Sequence, residues 1–102
     1  MGQSSTVSGY TSGGSTTPPT TFYNTIDKFP FSSDSNATDV GDLTQARSSG
    51  AGQNSTVSGY SSGGGTPTVV NTIDKFPFAA DTNATDVGDL SGVITTAAGQ
   101  QD

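Results

Sequence analysis

Apolar residues along this 102-residue chain come in short bursts, set apart by Gly, Ser, Thr, Asn and Asp. No window places them at helical spacing, and the separating residues favour turns and strand ends, so essentially no helix is predicted. The strongest burst, 70–78, carries Ile73, Phe76 and Phe78 and reads as a strand. Pro77 near its end, like Pro30 in the earlier burst, lacks the N–H that a ladder needs. A bulge or a strand end is expected there. From 46 to 89 the pattern divides into four strands. A small-residue strand over 48–53 turns at Asn54-Ser55-Thr56 into a second over 57–61, which ends at Gly63-Gly64. The apolar third strand over 70–78 turns at Asp81-Thr82-Asn83 into a short fourth over 84–87, ended by Gly88-Asp89. The large apolar side chains of this pattern give the expected core: Ile26, Phe29, Phe31, Leu43, Ile73, Phe76, Phe78 and Leu90.

The pattern occurs twice. Residues 2–14 read GQSSTVSGYTSGG and 52–64 read GQNSTVSGYSSGG. Residues 24–43 read NTIDKFPFSSDSNATDVGDL and 71–90 read NTIDKFPFAADTNATDVGDL. The offset is 50 between Tyr10 and Tyr60 and 47 between Phe29 and Phe76. The first copy is therefore longer between its double glycine and its Asn, where it carries Pro18-Pro19; a length change there marks a surface loop. The chain reads as one two-repeat unit over 1–102, with repeat 1 at about 2–51 and repeat 2 at about 52–98. A period near fifty with short strands and glycine turns points to propeller blades or a similar β array.

In order along the chain, Arg47, the run 48–53, Tyr60-Ser61-Ser62-Gly63-Gly64 and Asn71-Thr72-Ile73-Asp74-Lys75-Phe76 resemble the kelch repeat. The resemblance implies an all-β fold of two four-stranded propeller blades per chain. It also implies closure by strand sharing, with six blades as the expected ring. Two departures stand out: the kelch tryptophan is absent, with Ala37, Val40, Ala84 and Val87 in its neighbourhood, and Ile94 stands where Arg47 stands in the other repeat. The wording of the repeat is also similar to tandem arrays in proteins of marine viruses and bacteria.

The segment 95–101 matches 48–54, an inner strand with no second strand after it, and the chain starts at Gly2-Gln3, where that strand ends. This predicts that 93–101 completes a blade beginning at residue 2 of a neighbouring chain. Val93, Thr95, Ala97, Ala98 and Gly99 would then meet Ser5, Val7 and Tyr10 of that neighbour. Two blades cannot close a ring, and each would leave a sheet face bare. A homo-oligomer is expected, with three chains favoured and four second.

Composition narrows the chemistry. With 28% hydrophobic and 12% charged residues, the core must come from backbone sheets, small residues and eight aromatics. The net charge of −6 excludes the basic surface that nucleic acid or anionic membranes require. No apolar run approaches a membrane span and no secretory start is visible, so a chain in solution without a signal peptide is expected. Cysteine, histidine, glutamate and tryptophan are all absent, which removes thiol chemistry and the usual acid–base groups. No catalytic residue and no cofactor is expected.

Three weaker sites remain. Asp34, Asn36 and Asp39, repeated as Asp81, Asn83 and Asp86, space oxygens like a calcium loop. The glycine and the closing glutamate of such a loop are missing, so Asx-type turns, with Asp39 and Asp42 capping backbone amides, are the preferred reading. Tyr10 and Tyr60 could stack on sugars, though packing between blades with a hydrogen-bonded hydroxyl is preferred. Arg47 is expected to pair with an Asp. The resulting expectation is a non-catalytic, self-assembling module, structural or multivalent, facing glycans or a protein surface. Its competitors are a calcium-dependent or hydrolytic enzyme and an excerpt of a longer propeller array.

Overall fold

The computed structural model describes residues 1–16, 20–66 and 68–92. The described residues form strands only: β1 (Gly2–Ser4), β2 (Ser8–Thr16), β3 (Thr21–Pro30), β4 (Thr38–Asp42), β5 (Ala51–Asn54), β6 (Ser58–Ser62), β7 (Thr72–Pro77) and β8 (Thr85–Asp89). They build two four-stranded antiparallel sheets in sequential order, β1-β2-β3-β4 and β5-β6-β7-β8. Among the described residues no helix is long and apolar enough to cross a membrane.

The two sheets repeat each other in register. Gln3 pairs Tyr10 and Tyr10 pairs Lys28; Gln53 pairs Tyr60 and Tyr60 pairs Lys75. Both β3 and β7 end at their prolines, as a missing ladder donor requires. Each has an irregularity just after its isoleucine, at Ile26/Asp27 and at Ile73/Asp74. The β1–β2 and β5–β6 turns share one device: the Ser5 hydroxyl accepts from Val7 N and Ser8 N at 3.2 and 3.0 Å, and Ser55 does the same for Val57 and Ser58. Local hydrogen bonding by serine is what fixes these turns. Across β2 and β3 the Phe29 ring lies over Gly9, and across β6 and β7 the Phe76 ring lies over Gly59, so any side chain at either glycine would collide with a ring.

Strand limits differ from the sequence pattern by a few residues. The inner strand of the second sheet begins at Ala51 rather than 48, and Ser48 makes only an isolated bridge to Gly65. Small residues give no hydrophobic signal by which to place such an end. The extra length of the first repeat is not simply loop. It extends the β2–β3 hairpin through Gly14↔Tyr23 to Thr16↔Thr21, past an irregularity between Ser12 and Gly14. The sheet that starts at Gly2 is four-stranded from this chain's own residues, because β1 supplies its edge. The segment expected to complete it, with Val93, Thr95, Ala97, Ala98 and Gly99, lies outside the described residues.

The core lies between the sheets. Tyr10, Ile26 and Leu43 from the first meet Phe76 and Ala84 from the second, with Met1, Val40 and Phe78 packed against them. Of the eight expected core residues, Ile26, Leu43 and Phe76 are buried, and Phe78, Ile73 and Leu90 are half-buried. Phe29 and Phe31 depart from the expectation, at 37% and 56% exposed. Among the described residues their sheet face has no opposing sheet.

Candidate functional site: the junction between the sheets

Side chains alternate across a strand, so each sheet has two faces. In the first sheet the row Gln3, Tyr10, Ser12 and Ile26 points at the second sheet; Thr11, Asp27, Phe29 and Phe31 lie on the other side. In the second sheet it is Ser61, Asp74 and Phe76 that receive the first, leaving Gln53, Tyr60 and Ile73 outward. The junction therefore joins two unlike faces, head to tail.

Its aromatic part is Tyr10 stacked on Phe78 at 5.0 Å and 22°, and tilted against Phe76 at 5.5 Å and 54°. Offset and tilted rings at such distances add to the burial of their area. Tyr10 is thus packed between sheets, where it is not open to stack on a sugar, and its hydroxyl has no hydrogen-bond partner among the described residues. Tyr10, expected at an interchain seam, packs at the junction inside the chain. Ser5 and Val7, also expected at that seam, lie in the β1–β2 turn, with Val7 67% exposed.

A polar cluster stands beside the rings. Gln3 Nε2 has Ser12 Oγ, Ser61 Oγ and the Tyr60 carbonyl within reach of its two N–H groups at 3.0, 2.9 and 2.8 Å, and the two serine hydroxyls meet at 2.7 Å. Buried polar groups need partners, and these supply one another across the junction. Sequence reasoning missed this cluster; the repeated Gly-Gln at 2–3 and 52–53 was its only trace.

The third part is ionic. Arg47 and Asp74 are both fully buried, with Nη1 3.0 Å from Asp74 Oδ2 and Nη2 donating to the Ser61 carbonyl at 3.0 Å. Thr44 completes the cage, donating from its amide at 2.9 Å and from its hydroxyl at 2.7 Å to the same carboxylate. Within this cage Arg47 Nε is without a partner among the described residues. Arg47 and Thr44 belong to the link between β4 and β5, so the chain seals its own junction as it crosses from sheet to sheet. A buried pair of this kind is safe only while both charges are present.

In the acidic loops two aspartates hold backbone amides. Asp39 Oδ1 and Asp86 Oδ1 each accept from the amide two residues on, Gly41 N and Gly88 N, at 3.1 Å. Asn83 Oδ1 accepts from Asp42 N at 3.0 Å, and Ala84 N donates to Asp42 O at 2.8 Å, tying the second sheet's loop to the first sheet's edge. Asp42, expected to cap an amide with its side chain, contributes its backbone instead. Asp81 lies 3.6 Å from Lys28 across the same junction. Asp34 and Asn36, the first-repeat counterparts, are exposed. Among the described residues no group of three or more Asp, Glu, His or Cys side chains gathers as metal ligands.

A groove of about 250 Å³ opens where the junction reaches the turns, with Tyr10 and Phe78 in its lining, Lys28 beside them and the exposed Val7 and Val57 at its lips. Comparison of the chain with protein-family models and with curated proteins finds no match.

Proposed function

We propose that this chain is a non-catalytic building block whose sheets are propeller blades, completed into a closed ring by further copies and used as a structural or multivalent binding module. The observation that carries the reading is the head-to-tail junction. One face of the repeat packs on the opposite face of its near-copy, and the two outermost faces repeat the side chains of the two joined ones with no sheet over them among the described residues. Surfaces of that kind generate rings when the rotation per step closes, and filaments when it does not. Kelch-like blades, to which the repeat is similar, close as rings; three chains giving six blades is the favoured assembly and four chains the second.

In such a ring the groove beside Tyr10 recurs at every junction. Equal sites at fixed spacing favour multivalent attachment to a glycan-coated or protein surface. Two experiments test the reading. Electron microscopy of the chain at high concentration is expected to give round particles with three- or fourfold symmetry; open filaments or isolated blades would refute closure. A glycan array probed with the assembled particle is expected to show binding that is lost on Val7→Asp with Val57→Asp, at unchanged particle mass. Binding unaffected by those changes would remove the groove from the account.

A further inference from the structure

We infer that the outward face of the first sheet receives the outward face of the second sheet of another copy, in the register of the internal junction, and that Asp27 is the point at which this seam is weaker than the internal one. The inference rests on the self-assembly reading above and specifies its interface.

The receiving side is already shaped. Phe29 and Phe31 meet edge to face at 6.1 Å and 74°, and the covered pair Phe76 and Phe78 meet at 6.1 Å and 75°. Tyr60, half-buried on the opposite open face, is the repeat mate of the Tyr10 that covers the second pair. The backbone agrees. At Gly41 a side chain would strike the Thr82–Asn83 backbone of the second sheet; the equivalent Gly88 faces open space, ready for the same loop of another molecule. Charge agrees too: the Lys28–Asp81 contact becomes Lys75 against Asp34 of the second copy. An occupant other than this repeat would have to match aromatic, glycine and charge positions that the repeat matches already.

One position does not carry over. Asp74 is neutralised by Arg47 and held by Thr44. Its mate Asp27 has no side-chain hydrogen bond or ion pair among the described residues, although it is partly buried. In the transposed seam it meets Ser91 where Asp74 meets Thr44, and the sequence supplies Ile94 where it supplied Arg47. A hydroxyl and an amide remain to hold the carboxylate; the guanidinium does not. Enclosing a carboxylate without its counter-charge opposes association. The internal junction is thus made permanent and the external one adjustable.

The test is a pair of equivalent substitutions with opposite outcomes. Sedimentation velocity over a concentration series gives the concentration of half-assembly for the 102-residue chain and its variants. Asp27→Asn, which removes the charge and keeps the shape, is expected to lower that concentration by about tenfold or more. Ile94→Arg, which puts an arginine at the repeat position of Arg47, is expected to move it the same way. Asp74→Asn strands Arg47 and is expected to lower the melting temperature. Assembly weakened or unchanged by both Asp27→Asn and Ile94→Arg, while Phe29→Ser still abolishes it, would overturn the Asp27 assignment and leave self-assembly standing. A wild-type chain that stays single at every concentration would overturn the reading on which this rests.

Discussion

Phe76 and Phe29 occupy the same place in the same sequence, Asp-Lys-Phe-Pro-Phe, yet one is 2% exposed and the other 37%. The same contrast runs through the molecule. Ile26 is fully buried and Ile73 half-buried; Ala84 is buried and Ala37 exposed; Ser61 is fully buried and Thr11 exposed. Strand pairing, turns and the geometry of the phenylalanine pairs are nearly the same in both sheets. Local sequence therefore sets the conformation of each sheet, while what lies opposite sets its burial. Two near-equal units stacked head to tail cover one front and one back, and among the described residues the other two faces have no sheet over them.

The comparison can be broken from either side. The largest effect is expected from Arg47→Met, which leaves the buried Asp74 carboxylate without its partner. A loss of about 4 kcal/mol is expected in urea unfolding below the assembly concentration, enough to unfold much of the population. Next comes Phe76→Ala, which opens a cavity under Tyr10 and costs about 3 kcal/mol. Its mirror, Phe29→Ala, is expected to cost well under half as much in the same assay, because Phe29 is already 37% exposed. Equal losses at Phe76 and Phe29 would mean that the two faces do not differ in solution. Gln3→Ala removes the amide that joins three acceptors across the junction and is expected to cost about 1–2 kcal/mol. Gln53→Ala removes contacts to one residue of its own sheet, Ser62, whose Oγ lies 3.0 Å from Nε2 and 3.1 Å from Oε1, and is expected to cost less than half as much.

The smallest effect concerns pH. The Met1 ammonium donates to the Ser12 carbonyl at 3.0 Å, and burial pushes its pKa below the ordinary 8.0. Unfolding releases it, so the unfolded chain holds more protons between the lowered value and 8.0. From this group alone, stability rises with pH through that interval and levels off above it. A melting series from about pH 6 to 9 on the chain, set beside one with an acetylated N-terminus, isolates the contribution as a shift of about 1–2 °C or less. A fall with rising pH that acetylation removes would contradict it.

Much of this architecture was legible in the residues. The two prolines announced the ends of β3 and β7, and the repeat itself announced two equal sheets. The inner strands were harder. Serine, glycine and alanine carry no apolar alternation, so the start at Ala51 could not be separated from 48. The fate of Phe29 and Phe31 was not legible at all, because burial depends on a neighbour and not on the sequence around them. At the junction, Arg47 had to find an aspartate, but nine aspartates offered themselves, and only the path of the link between β4 and β5 selects Asp74. The Gln3–Ser12–Ser61 cluster stayed hidden because glutamine and serine are equally at home on a surface.

Light scattering on the purified chain tests most directly whether the open faces are covered by sister molecules. The expected result is a concentration-dependent particle that settles at three chains, 3 × 10.2 = 30.6 kDa, or at four. A compact, folded particle of 10.2 kDa at all accessible concentrations would contradict the account.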